Sequence, residues 1–389
     1  MKNKGELIVI YLDNAATTWP KPECVYQAVD TCLRTMGANP GRGGHSMARA
    51  ASMLVYETRE ALAELFGIAD ANQLVFTHNA TDAISMAVFG IVGPGDTIVT
   101  TAMEHNAVAR AVRVAQSQGV TVKVIPCTST GQLAMEEMEA AIRAKPKAVI
   151  MTHASNVTGT IMPVTEVGKL TKKLGVTLLV DAAQTAGVED IDVTAMGINI
   201  LAFSGHKGLL GPQGTGGLYV QETISIRPLR VGGTGSMSES DIQPEFMPDR
   251  LESGTPNTPG IAGIKAGVDF ILATGRSKIQ AKEMELTNLL LEGLRQIPEA
   301  TVYGQQTAHG RTSVVSFTLA GRDSGQIAHL LDKNYNIACR SGLHCAPWAH
   351  QTIGTVKTGT VRLSPGYFNT EEEIGQTIIA VRELVAQGG

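Results

Sequence analysis

Between about residues 55 and 220, short runs of apolar and β-branched residues alternate with longer stretches whose apolar positions recur at helical spacing. The short runs predict strands at 74–77, 97–101, 121–126, 148–152, 176–180, 198–203 and 216–220, and the longer ones predict helices at 81–90, 105–118, 134–143 and 165–174. Strands that are apolar throughout are covered on both faces, which predicts an α/β fold with a mostly parallel sheet. Gly-rich sequence without a helix joins the last two runs, so an antiparallel member is expected there. Beyond residue 225 the pattern changes. The stretch 232–259 is rich in Gly, Ser and Pro and reads as an irregular connection. A long helix over 260–297, strands near 300–303, 312–318 and 336–338, a loop around 341–359 and a last helix over 370–386 follow. The expected division is an N-terminal segment 1–15, a large domain 16–258 and a smaller C-terminal α+β domain 259–389.

Composition narrows the class of function. With 32 basic and 36 acidic residues the net charge is −4, too balanced for electrostatic capture of nucleic acid or an anionic membrane. Aromatic residues at 4% leave little for base-stacking platforms. The five cysteines are odd in number and mostly scattered, unlike an extracellular disulfide framework. The apolar run Leu7 to Leu12 is too short for a signal sequence, and no stretch approaches the roughly 18 apolar residues of a spanning helix. A soluble protein of the reducing cytoplasm is expected, with no nucleic-acid or membrane partner and no metal site.

Ligands of open α/β sheets collect where strands deliver their C-terminal ends. Those positions here are polar and chemically coherent: His78-Asn79-Ala80-Thr81-Asp82, then Met103-Glu104-His105-Asn106, His153-Ala154-Ser155-Asn156, Asp181-Ala182-Ala183-Gln184 and Ser204-Gly205-His206-Lys207. Lys207 follows an apolar strand and precedes a run, Gly208 to Gly217, that holds one hydroxyl and no charge. Pyridoxal phosphate is the cofactor such a lysine would hold as a Schiff base. Asp181 would keep its pyridine nitrogen protonated, and the helix beginning near Thr81 offers free backbone N–H groups to its phosphate. Ser204 and His206 are further donors, and His105 can lie flat on the ring. Taken singly, each of these polar residues has a structural explanation as a cap, turn or packed histidine. Five clusters at successive strand ends, closing on one lysine, point to a site.

The segments Ser155-Asn-Val-Thr-Gly-Thr160, Asp181-Ala-Ala-Gln184, Ser204-Gly-His-Lys207 with Gly211-Pro-Gln-Gly214, and Glu252-Ser-Gly-Thr-Pro-Asn257 resemble class V aminotransferase-type enzymes of the cysteine desulfurase and selenocysteine lyase group. The resemblance runs from Tyr11-Leu-Asp-Asn-Ala-Ala-Thr17 to Val361-Arg-Leu-Ser-Pro-Gly-Tyr-Phe-Asn369. It implies fold type I, a seven-stranded, mostly parallel sheet with a smaller C-terminal domain, and pyridoxal 5′-phosphate as cofactor. It also implies Lys207 as the Schiff-base lysine, Asp181 at the ring nitrogen, Gln184 at the ring hydroxyl, Asn156 beside the cofactor and His105 stacked on the ring. Phosphate contacts would come from Ala80, Thr81, Ser204 and His206, with Thr255 reaching across a homodimer interface. Arg362, helped by Asn156 and the Ala15-Ala16 turn, would hold the substrate carboxylate, a task suited to its planar fork. The chain departs from the family in its phosphate turn. Desulfurases commonly carry two hydroxyl residues where Asn79-Ala80-Thr81-Asp82 has one, so backbone groups must take up more of the phosphate.

Cys345 stands in Arg340-Ser-Gly-Leu-His-Cys-Ala-Pro-Trp-Ala-His350, seventeen positions before Arg362. In the resembling family a Gly-x-His-Cys segment carries the sulfur-accepting nucleophile, and the short spacing is similar to the SufS-like branch with a compact cysteine loop. A Gly-bounded loop is a natural place for a mobile reactive group. Cys24, Cys32, Cys127 and Cys339 read as structural. The implied reaction converts L-cysteine to L-alanine and leaves the sulfur on Cys345 as a persulfide, ready for a thiol acceptor protein. The alternatives are a selenocysteine lyase releasing selenide and alanine from L-selenocysteine, another class V activity such as transamination, and a cofactor-free binding protein.

Overall fold

The computed structural model describes residues 9–41 and 43–387; residues 1–8 of the expected N-terminal segment lie outside the described residues. Its central sheet has seven strands in the order Leu74–Thr77, Gly216–Val220, Ile200–Ser204, Thr177–Asp181, Ala148–Thr152, Thr97–Thr101 and Thr121–Ile125. All run parallel except Gly216–Val220, which is antiparallel to both neighbours, as the absence of an intervening helix predicts. Helices cover both faces. Phe66, Val149, Leu178, Leu201 and Phe203 pack into a core on one side, while Ile84, Val108, Ile150, Leu179 and Ala202 pack on the other. Alternate residues of one strand thus serve opposite cores, which is why these strands read as unbroken apolar runs.

Small boundary shifts carry chemical meaning. The strand expected at 176–180 ends on Asp181, and the one expected at 198–203 ends on Ser204. The helix expected at 105–118 spans Asn106–Ser117 with His105 as its N-cap, and that expected at 81–90 spans Ala80–Ile91 behind Asn79. Gly216 lets the antiparallel strand pass against this last turn. A Cβ there would come within 2.8 Å of Asn79 and 2.7 Å of the Phe203 carbonyl.

The long helix expected over 260–297 is two helices, Thr258–Thr274 and Arg276–Arg295, interrupted at Gly275 with φ +89°. Helical periodicity persists across the break, so only the glycine's left-handed backbone marks it. A second, antiparallel sheet follows in the order Arg340–Gly342, Thr360–Leu363, Val315–Leu319 and Ala300–Tyr303. The run expected at 336–338 forms Ile337–Ala338, paired in parallel with Ile10–Tyr11, so Ile10 and Leu12 join the core of Leu290, Phe317, Leu363 and Val381. The loop expected at 341–359 contains the strand Arg340–Gly342 and the helix Pro347–Ile353. Closing the chain, Glu371–Ala386 starts in a capping box of Thr370 and Glu373, a pair that satisfies two N-terminal amides reciprocally. No described helix is long and apolar enough to cross a membrane.

Candidate active site

The C-terminal ends of the parallel strands meet the N-terminal turn and the second sheet around a cavity of about 270 Å³. Lining it are Ala15, Ala16, Ala80, Thr81, His105, Asn156, Asp181, Gln184, Ser204, His206, Lys207 and Arg362, all singled out in the sequence. Asn79, Thr152 and Arg340 also line it.

Lys207 is half-buried, lining this cavity. Burial pushes its amine down to about 8, with Arg362 and Arg340 adding to the fall and Asp181 and Cys345 opposing it. The N-terminal turn fixes its backbone: Thr18 Oγ1 donates to the Lys207 carbonyl at 2.5 Å, and Lys21 Nζ to that of His206 at 2.9 Å. Asp181, 3% exposed, is pushed up by burial and pulled down by the Ala183 amide it accepts at 2.9 Å and by Lys207. The buried acid favours a positive partner, and Lys207 supplies part of that charge.

His105 Nδ1 accepts from the Ala107 amide at 3.1 Å, which leaves the ring proton on Nε2. Burial, followed by Lys207, Arg340 and Arg362, drives it down to about 4, so the ring is neutral at pH 7. The phosphate turn is a true helix start: Asn79 Oδ1 accepts from the Asp82 amide at 2.9 Å, and the Ala80 amide reaches Ser204 Oγ at 3.3 Å. His206, lowered to about 4 by burial and then by Lys207 and Lys21, keeps a buried Nδ1 without a partner among the described residues.

Arg362 is 1% exposed, and burial lowers it while Asp13 opposes that. Its Nη2 donates to Asp13 Oδ1 at 2.7 Å and its Nη1 to the Asn156 carbonyl at 3.2 Å, while Nε has no partner among the described residues. Asn156 Nδ2 donates to the His344 carbonyl at 2.6 Å, and its buried Oδ1 has no partner among the described residues. Gln184 Nε2 donates to the Ala15 carbonyl at 3.1 Å.

Cys345 is exposed at the rim, outside the cavity lining, with Arg340 Nη2 donating to its Sγ at 3.1 Å. Its carbonyl accepts from the Asn106 amide at 2.7 Å, next to His105. The adjacent His344 is buried, bonds Thr360 Oγ1 through Nε2 at 2.9 Å, and falls to about 2 through burial, then Arg362 and His350. A neutral ring held inward is no source of positive charge for Cys345; Arg340 is. In the sequence Arg340 is only one residue of the cysteine segment; the Arg340–Arg362 register of the second sheet reveals its direction. Thr255 is not brought to this cavity. It lies exposed in a separate one of about 340 Å³ with His78 and Arg230, its Oγ1 accepting from Asn39 Nδ2 at 3.2 Å.

The donor set suits a pyridoxal phosphate group. The Lys207 amine, the buried Asp181 acid and the helix N-terminus behind Asn79 line one cavity, and an aldehyde, a protonatable ring nitrogen and a phosphate would each meet a group of matching chemistry there.

Comparison with known proteins places this geometry. The class-V aminotransferase family model matches residues 10–376. A protein of Methanothermobacter thermautotrophicus described as "Probable cysteine desulfurase" is 34% identical over 97% of this chain and 95% of its own length. A "Cysteine desulfurase" of Pectobacterium atrosepticum is 31% identical over 96% and 92%. Among solved structures, the apo cysteine desulfurase of Thermococcus onnurineus NA1 superposes with a TM-score of 0.92 at 34% identity, covering 97% of this chain and 95% of that one. The Escherichia coli cysteine desulfurase CsdA, an S-sulfonic acid form, gives 0.86 at 27% with the same coverage. The chain therefore belongs to the class-V aminotransferase family of pyridoxal-phosphate enzymes with the fold type I architecture, in the group that contains the cysteine desulfurases.

Proposed function

We propose that this protein is a cysteine desulfurase that turns L-cysteine and the Cys345 thiol into L-alanine and a Cys345 persulfide. The Cβ–sulfur bond breaks and a sulfur–sulfur bond forms; one thiol proton ends on Cβ. Carbon is reduced as sulfur is oxidised, and no outside oxidant or reductant enters. The observation that carries this reading is the 3.1 Å contact of Arg340 with Cys345 Sγ, made by a guanidinium that also lines the cavity of Lys207 and Arg362.

Bound pyridoxal phosphate supplies an electron sink that makes the substrate Cα–H acidic and loosens the Cβ–sulfur bond. Asp181 would hold the ring nitrogen, and the Ala80 and Thr81 amides with Ser204 and His206 would hold the phosphate. Arg362 uses the fork edge left open by Asp13 and Asn156 to orient the substrate carboxylate. The Lys207 amine, with its affinity for protons reduced by burial, moves the Cα proton at Nζ. His105 holds a proton on Nε2 for transfer near the sulfur. Cys345 takes the sulfur at the rim, where an acceptor protein can reach it.

Two further readings belong with this one. Thr255, away from the Lys207 cavity of its own chain, serves the site of a second copy; the exposed Val231, Ile242 and Phe246 nearby support a homodimer. Five free cysteines fit work in the cytoplasm. The test is incubation with L-cysteine and L-selenocysteine separately, measuring alanine with sulfide or selenide, for wild type and Cys345→Ala. A large loss confined to cysteine is expected. Unchanged cysteine turnover refutes Cys345 as acceptor, and turnover of selenocysteine alone by the wild type makes the protein a selenocysteine lyase.

A further inference from the structure

Glu104 leaves the strand Thr97–Thr101 one residue before His105, and its side chain is fully buried. Oε1 accepts from Thr101 Oγ1 at 2.5 Å and from the Thr152 amide at 3.1 Å. Thr152 ends the next strand, lines the cavity and sits opposite Asp181 in the parallel register. One carboxyl oxygen therefore joins the turn that presents His105 to the strand that flanks Asp181. The other, Oε2, is buried with no partner among the described residues.

We propose that Glu104 is a positioning residue of this active site: Oε1 staples the His105 turn to Thr152, and so sets His105 and Asp181 relative to each other around the cofactor. This rests on the function proposed above. It works as the neutral acid. A buried carboxylate oxygen that receives no hydrogen bond is costly, whereas a carboxyl group keeps both Oε1 bonds without burying a charge. Burial raises Glu104 to about 8, against the pull of its Thr101 and Thr152 bonds, and the nearby Asp181 charge raises it further. Ionisation of Glu104 would place a second anion beside the acid assigned to the ring nitrogen. The neutral form avoids that second anion beside Asp181.

The test compares holoenzyme of wild type, Glu104→Gln and Glu104→Leu. Glutamine keeps an oxygen that accepts both bonds and carries no charge; leucine keeps bulk alone. Two readouts are taken: alanine formed from L-cysteine, and the pH midpoint of the bound cofactor's visible band without substrate. For Glu104→Leu, a loss of turnover of about tenfold is expected, together with a midpoint shift of about half a pH unit or more. Glu104→Gln should recover most of both. Unmoved turnover and midpoint in Glu104→Leu overturn the proposal, as does a glutamine variant as impaired as the leucine one. If Glu104→Leu does not fold, Glu104→Gln decides alone: a wild-type midpoint supports the proposal and a shifted one overturns it. The band needs no turnover. A wild type that shows it but makes no alanine contradicts the desulfurase reading and leaves the Glu104 result interpretable.

Discussion

Arg340 Nη2 lies 3.1 Å from Cys345 Sγ, although the two residues occupy opposite ends of a Gly-containing turn. Arg340 belongs to a strand whose partner carries Arg362 at the facing position, so Cys345, proposed as the sulfur acceptor, and Arg362, proposed as the carboxylate fork, are tied to one β-pairing. Arg340→Ala should slow persulfide formation in a single turnover about tenfold or more while leaving cofactor binding intact. Arg340→Lys should recover only part of it, since an ammonium lacks the planar fork. Mass spectrometry of Cys345 after rapid quenching reads this out directly. A wild-type rate in Arg340→Ala would remove the contact from the mechanism.

Cofactor capture should depend on pH through Lys207. Its amine is lowered by burial to about 8, and only the neutral amine attacks an aldehyde. The rate at which the apoprotein takes up pyridoxal phosphate should therefore climb about tenfold per unit up to about pH 8 and level off above it. Stopped-flow absorbance across pH 6 to 10 checks this. A climb that continues to the ordinary lysine value would show that the buried environment does not tune the amine.

Asp13 faces the buried Arg362 at 2.7 Å from a partly exposed position. Asp13→Asn removes the arginine's counter-charge and should lower stability by about 1–3 kcal/mol, less than for a pair buried on both sides. It should also raise KM for cysteine more than it lowers kcat, because the fork loses the group that orients it. Thermal unfolding and steady-state kinetics test the two parts separately.

Glu283 is buried on the helix Arg276–Arg295 near Glu189, and burial, with the Glu189 charge adding, raises it to about 8. A folded-state value above the unfolded one means the folded chain binds more protons through that window. The contribution of Glu283 to stability then falls as pH rises from about 4.5 to about 8 and flattens above, while the buried histidines lowered from 6.5 contribute in the opposite sense below about 6.5. Glu104 has the same sign and window as Glu283. Glu283→Gln should reduce this slope, measured by denaturant unfolding at pH 5, 6.5 and 8; an unchanged slope would place the ionisation elsewhere.

Much of the architecture is visible in the chain because buried parallel strands need unbroken apolar residues, and polar clusters at their ends stand out against them. Asp181, Ser204 and Lys207 are conspicuous for that reason, and the cavity collects them. Other features leave weaker traces. Gly275 interrupts a helix without disturbing its periodicity, so two helices read as one. Arg340, Asp13 and Glu104 act through neighbours 200 or more residues or a strand away, and local pattern does not encode those meetings. Thr255 is legible as a motif residue, yet its own chain places it in a different cavity, beside Asn39.

The chemistry turns on a single imine-forming side chain. Reduction of the holoenzyme with borohydride, digestion and peptide mass mapping should find the pyridoxyl adduct on Lys207 and on no other residue. An adduct elsewhere, or none in protein carrying the cofactor, would contradict the assignment of this cavity as the active site.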